Sequence, residues 1–480
     1  MPRDCGLKGD GVANQLTLTD LCEAVQGSGA ALRCRSKLRP VGDGGDKVLP
    51  PTYAGGVYAV EDRRIDGRVV RCVLLDSVQS QANRMEDVLQ EAFLPNWREM
   101  PRDGDDPVCG LPVVGVYVEN HGWVTSLTAP HRIHDAILRD SMRGDRQFRS
   151  SDIGQEIRGA RLHNATAFYR YCPTVLLFGT WDSTAGEGLD SAKIPRAVVS
   201  EIIGVDVTAG VRTGSRLDPL GIKAQSATIY RRTDGGWALK DGDGNFVGAQ
   251  PDELEGGATD PKKFGKSGKP SDINHGNVTP DLSRFGDLRE VRKQHLDQLS
   301  DILRDEPGRP VAIRAHAVRP GGVTMAYALH TWTLSLTQLR RLRFPVNGNH
   351  DDGRNIRART ALAALAVYAL ALQRRLGYWL RSRCDLVVEA GTVLEQLRAD
   401  GTDSSFDIPS VEAARQLLDL ALQAAEVVGE DGQAGIRWLG HVVRLTPTDQ
   451  LRRLVELSDN LSPVEADDEE AGVSNAGDQD

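Results

Sequence analysis

The stretch Leu32-Arg33-Cys34-Arg35-Ser36-Lys37-Leu38-Arg39 alternates apolar or small residues with cations over its whole length. Successive side chains of an extended chain point to opposite faces. Leu32, Cys34, Ser36 and Leu38 therefore share one face of a strand, and Arg33, Arg35, Lys37 and Arg39 share the other. Like charges along one strand face repel one another unless they are solvated or answered by an anion, and a phosphodiester backbone is a natural partner. A solvated basic edge that prevents strand-on-strand aggregation accounts for the same pattern. The stretch alone leaves both readings open.

Working outward, extended runs are expected at 30–39, 69–75, 112–119 and 174–179, and amphipathic helices at 77–93, 129–142 and 193–203. This alternation predicts an α+β fold with an RRM-like (ferredoxin-like) palm over residues 16–230, after a short tail at 1–15. Residues 231–285 are polar and rich in Gly, Asp and Lys, and read as an inserted, mobile loop. Val311–Val318 and Val323–Leu334 flank Pro320-Gly321-Gly322, a hairpin signal within a returning segment at 286–345. Residues 346–461 form a helical C-terminal region. It contains a long Ala/Leu-rich helix at 355–381 and a second helix at 410–428 capped by Ser410. From 462 onward an acidic tail with little to bury is expected to be disordered. No internal repeat is evident.

With 40% hydrophobic and 26% charged residues among 480, the chain reads as globular rather than disordered or membrane-embedded. No uncharged apolar run reaches the roughly 18 residues that span a bilayer, and the first residues lack a signal-peptide core, so a cytoplasmic location is expected. The seven cysteines are scattered without a CxxC pair, which argues against a disulfide framework or a zinc knuckle. A formal net charge of -9 includes the acidic tail and says nothing about local fields.

Two further segments adjoin the basic strand. The glycine-rich turn Val41-Gly42-Asp43-Gly44-Gly45-Asp46-Lys47 could bring backbone amides and Lys47 close to phosphate, although a long surface hairpin explains the segment slightly better. It lacks the Gly-Lys-Ser/Thr ending of a nucleotide-binding loop. After the strand at 69–75, Asp76 or Ser77 caps a helix whose first turns carry Gln79, Gln81, Asn83 and Arg84, donors suited to phosphate or ribose oxygens. A capped, solvated helix start is the plainer account.

Other signals are weaker. His131 and His134 stand three apart beside Asp135, but no third ligand is marked by spacing, so packing or an RNA contact from His131 and Arg132 is preferred to a metal. Gly265-Lys266-Ser267 lacks the first glycine of a phosphate-binding loop. Asp241, Asp243 and Asn245 lack the bidentate acid of a calcium loop. Lys262, Lys263, Lys266 and Lys269 suit a flexible basic arm. Arg374, Arg375, Arg381 and Arg383 complement a helix C-terminus.

The strings Leu38-Arg39-Pro40-Val41-Gly42, Gly45-Asp46-Lys47, Leu75-Asp76-Ser77-Val78-Gln79-Ser80-Gln81-Ala82-Asn83-Arg84, Ser126-Leu127-Thr128-Ala129-Pro130-His131-Arg132-Ile133-His134-Asp135-Ala136-Ile137-Leu138 and Asp218-Pro219-Leu220-Gly221 together resemble the RAMP-superfamily backbone subunit of type I-G (formerly I-U) CRISPR Cascade, over roughly residues 30–230. The resemblance implies an RRM-like palm with a thumb hairpin, and copies lying side by side in a filament on one crRNA. It also implies guide pairing with a target DNA strand, guide-end-binding and large Cascade subunits as partners, and a separate nuclease-helicase for cleavage. Neither a catalytic residue nor a cofactor is expected. The basic strand, Lys47, the polar helix start, His131 and Arg132 would then hold guide RNA through phosphate and ribose. A competing expectation is a RAMP-type ribonuclease in which Asp43 or Asp46 cuts target RNA with a divalent metal, and another is an adaptor that binds protein through residues 346–480.

Overall fold

Alternation governs β1 (Gly29–Pro40), where Leu32, Cys34, Ser36 and Leu38 are buried while Arg33, Arg35, Lys37 and Arg39 are half-buried or exposed opposite them. The computed structural model describes residues 15–53, 57–102, 106–182, 193–211, 226–241, 243–265, 267–270, 320–389, 391–428, 432 and 434–459. The chain divides into one unit of 1–208 with 323–455 and another of 209–322 with 456–480.

The first unit is organised by an antiparallel sheet that has nine strands among the described residues. Besides β1 these are β2 (Val60–Ile65), β3 (Arg68–Asp76), β4 (Val198–Val211), β5 (Pro320–Ser335), β6 (Tyr378–Arg381), β7 (Cys384–Val388), β8 (Val393–Arg398) and β9 (Asp403–Asp407). The main path runs β6-β7-β1-β5-β4-β3-β2, and β8 pairs with the first half of β1 and with β9. Against β5, Arg33 lies opposite Thr333, Arg35 opposite Thr331 and Lys37 opposite Leu329. β2 and β3 form a hairpin whose turn, Asp66-Gly67, has positive φ at both residues (47° and 79°), the conformation that a two-residue hairpin loop demands and that Asp-Gly tolerates.

Four helices cover one side of the sheet: α1 (Leu18–Gln26), α2 (Val78–Phe93), α3 (Asp352–Leu376) and α4 (Val411–Glu426). α1 starts in a reciprocal cap, with Thr17 Oγ1 accepting from the Asp20 amide while the Asp20 carboxylate accepts from the Thr17 amide. Ser77 and Ser410 cap α2 and α4. α3 is apolar on every side because α1, α2 and α4 all lie against it and its residues share one core with Leu32, Cys34, Trp332 and Leu334 of the sheet. By length and composition α3 could cross a membrane, but 89% of the apolar window is buried within the protein, as suits a core helix. A smaller sheet joins Val113–Val118 to Gly122–Thr125 and, in parallel, to Val442–Leu445.

Within the second unit, Ile229–Arg231, Trp237–Lys240 and Phe246–Val247 make a three-stranded sheet. On it, the Tyr230 and Phe246 rings meet edge to face at 5.4 Å with Lys240 over both. The described part of 231–285, the stretch read from sequence as a mobile insertion, thus contains regular structure. The Asp241 carboxylate accepts from the amides of Asp243 and Asn245, which makes it a turn-former.

Several elements differ from their sequence reading. Residues 174–179 are helical: Val175–Phe178 is a buried turn that ends at Gly179 (φ 82°), since a four-residue apolar run fits a buried helix as well as a strand. Residues 193–203 are extended, with Lys193–Ile194 and then β4. Its β-branched Val198, Val199, Ile202 and Ile203 favour the sheet, where Ser200 and Ile202 face the helices and Glu201 the other side. The helix expected at 129–142 is broken into Arg132–His134 and Ala136–Arg139. Gly377 (φ 91°) stops α3 before 381. The C-terminal region has the two expected long helices, with β6–β9 and Val442–Leu445 interleaved. Val311–Val318, Asp218–Gly221, Lys266 and the tail from 462 lie outside the described residues.

Candidate nucleic-acid interface

The face of the sheet opposite α1–α4 carries the cations of β1. Arg33 Nε donates to Glu395 Oε2 of β8 at 2.7 Å, so this charge is answered within the protein. Lys37 Nζ lies 4.7 Å from the centre of the Tyr327 ring on β5. Arg35 lines a cleft of about 250 Å³ together with Arg63, Arg64, Ile65 and Asp66 of the β2–β3 hairpin, Glu201 and Ile203 of β4, and Leu329 and Thr331 of β5. Arg63 donates to both carboxylate oxygens of Glu201, at 2.5 and 3.0 Å, which raises its guanidinium further above its ordinary value and ties the hairpin to β4. Among the described residues neither Arg35 nor Lys37 has a carboxylate partner. Two unanswered cations beside aromatic and aliphatic surface suit a polyanionic strand.

At the end of β1, Arg39 contacts Asp43 at 3.2 Å. In the following loop Asp46 Oδ1 accepts from the Lys47 amide and lies 3.9 Å from Arg383 of the β6–β7 turn. A side chain at Gly42 would meet the Asp46 carboxylate, which would have to turn aside. Lys47 is half-buried on this loop. Asp43 and Asp46, the acids considered for cleavage, both face arginines. Among the described residues no three His, Cys, Asp or Glu side chains gather as a metal group.

The start of α2 is organised around Asp76, which is fully buried. Its carboxylate accepts from Ser80 Oγ at 2.8 Å, Gln81 Nε2 at 2.6 Å, Arg84 Nε at 2.9 Å and Arg381 Nη2 at 3.4 Å. Arg84 also donates to the Leu380 carbonyl at 2.7 Å. Gln81 Oε1 accepts from Ser200 Oγ and Gln373 Nε2, and Ser200 meets His330 Nε2 at 2.8 Å. His330 Nδ1 lies 3.2 Å from Tyr378 Oη, and Arg374 bonds both Tyr378 and Ser36. This polar chain crosses the sheet beneath α2 and α3. Burial drives the His330 pKa down to about 3, so the ring is neutral there.

The structure therefore sorts the predicted contacts. Arg35, Lys37, Gln79, Asn83 and His131 are exposed, whereas Gln81 is interior, Arg84 is half-buried on Asp76, and Arg39 and Lys47 sit by the loop. Arg132 is buried, has φ 56°, and forms a bidentate pair with Glu86 at 2.7 Å for both bonds, which holds the 131–135 segment against α2. Burial pushes the Glu86 carboxyl up to about 7 against the pull of Arg132. The sequence reading missed Arg63, Arg64 and Tyr327. The Asp66-Gly67 turn signal between two alternating runs would have found the hairpin that carries the first two.

Residues 32–209 match the family of CRISPR-associated protein GSU0053. No curated protein matches the chain. The matched stretch covers just over a third of the sequence and starts inside β1. It contains the glycine loop, the β2–β3 hairpin, α2 and the arginines of the cleft, and ends within β4, so of the cleft's walls only β5 lies outside it. Similarity to a CRISPR-associated family points to a role in CRISPR–Cas defence.

Proposed function

We propose that this protein is a non-catalytic backbone subunit of a type I-G CRISPR Cascade, one that coats crRNA in several side-by-side copies while the guide pairs with target DNA. The observation that carries the reading is the open sheet face, where Arg35 and Lys37 have no carboxylate partner among the described residues and lie beside the Arg63–Arg64 hairpin and Tyr327. Guide RNA would run along this face, held by phosphate contacts to Arg35, Lys37 and Arg64. Gln79 and Asn83 on α2, His131, and Lys47 on the loop after β1 would make secondary contacts. Base identity is left to pairing. The hairpin of β2 and β3 is the element that corresponds best to a thumb, and the sheet with α2 and α3 to an RRM-like palm. The other Cascade subunits and a separate nuclease-helicase would be its partners, in the cytoplasm.

Purification after co-expression with a CRISPR array and the remaining subunits tests this. The expected product contains RNA with regularly spaced nuclease protection. Arg35→Glu with Lys37→Glu should strip that RNA while the protein stays folded. A nucleic-acid-free monomer under the same conditions would refute the proposal. Metal-dependent cutting of guide-paired RNA, lost in Asp46→Ala, would instead favour the ribonuclease reading.

A further inference from the structure

A second cationic cavity, of about 80 Å³, shares no lining residue with the cleft on the sheet. Its walls include His134, Arg139, Phe148, Arg149, Arg158 and Asp182. Gly154 also lines it, and a side chain there would collide with the Phe148 carbonyl, so the wall is closely fitted. His134 is more than nine-tenths buried, with its ring edge-on to Phe168, yet its Nε2 has no hydrogen-bond partner among the described residues. Arg149 Nε is buried and unpartnered as well. Buried polar atoms are rarely left unmet, and each one costs about 1–3 kcal/mol. A ligand that offers an acceptor would meet them.

The charge of the walls indicates what that is. Three guanidinium groups line the cavity against the single carboxylate of Asp182, and Asp140 next to it is bonded to Arg139 and Arg149. Roughly 10–15 Å³ of such volume holds one water, so this cavity has room for a tetrahedral oxyanion but not for a nucleoside. We propose that it is a phosphoryl-binding site, in which His134 Nε2 and the guanidinium groups of Arg149 and Arg158 donate to one phosphate group. Burial, opposed by Asp182 and aided by Arg139 and Arg161, holds the His134 pKa below its ordinary value. An oxyanion in contact with Nε2 would reverse that shift and couple binding to protonation. The site does not depend on the guide-RNA reading.

Full-length protein carrying nitrogen-15 histidine, titrated with inorganic phosphate against chloride at equal ionic strength, tests it. The His134 ring signal, identified by its absence in His134→Gln, should shift saturably, and its midpoint pH should rise. Arg158→Gln, at an exposed position, should leave the spectrum folded and weaken phosphate binding at least about tenfold. Competition by a short RNA with a 5′ phosphate but not by its 5′-hydroxyl form would assign the phosphoryl group to an RNA end. Competition by both would assign it to the backbone, and by neither to a free phosphate or mononucleotide. An unmoved His134 signal, an equal response to acetate, or unchanged affinity in Arg158→Gln would overturn the proposal.

Discussion

The two faces of the large sheet both carry polar groups and use them in opposite ways. Beneath α2 and α3, Asp76, Gln81, Ser200, His330, Tyr378 and Arg374 bond to one another in a continuous chain, so the polar groups there position backbone and helices. On the open face Arg35 and Lys37 are left without a carboxylate among the described residues, while Arg33 is answered by Glu395, Arg63 by Glu201 and Arg39 by Asp43. Burial makes the difference. A polar group removed from water must find a partner inside the protein, whereas an exposed cation can wait for one from outside.

The comparison can be broken most severely at Asp76. Asp76→Ala leaves Arg84 and Arg381 facing an empty, partly buried site, and should destabilise the protein by about 3–5 kcal/mol in urea unfolding. A loss under about 1 kcal/mol would mean that the network is incidental to the fold. His330 tests the same face through pH. Its folded pKa is depressed, so its contribution to stability is complete above its unfolded value of roughly 6.5 and is lost as pH falls toward about 3, at up to roughly 1.4 kcal/mol per pH unit. In His330→Asn the acid limb of the stability profile should flatten over that window.

Smaller effects belong to the open face. Arg33→Gln removes a half-buried pair with Glu395 and should cost about 0.5–1 kcal/mol, measured by the same unfolding curves. Arg35→Gln with Lys37→Gln should change stability by less than about 0.5 kcal/mol. It should lower the slope of log RNA affinity against log salt by about 0.7 for each cation that touches phosphate. If that slope is unchanged, the two cations serve the surface and the guide runs elsewhere.

Much of this was legible in the chain. The alternation over residues 32–39 predicts the faces of β1 because side-chain direction follows from backbone geometry one residue at a time. Ser410, and the pair Asp76 or Ser77 of which the structure uses Ser77, are visible as caps for a similar reason, since a cap's partner lies within one turn. The short apolar run at 174–179 was not decidable because burial on all sides erases the periodic signal, and 193–203 was not because its pattern suits either periodicity and only pairing with the sheet selects the strand.

The sequence by itself determined which residues are cations, which face of β1 they share, and where α2 and α4 begin. Only the tertiary structure decided which of those charges remain unanswered. Glu395 for Arg33, Arg381 beside Asp76 and Glu86 for Arg132 come from distant elements brought together by sheet pairing and helix packing. Charge pairing is set by distance in space, and local sequence patterns carry no record of it.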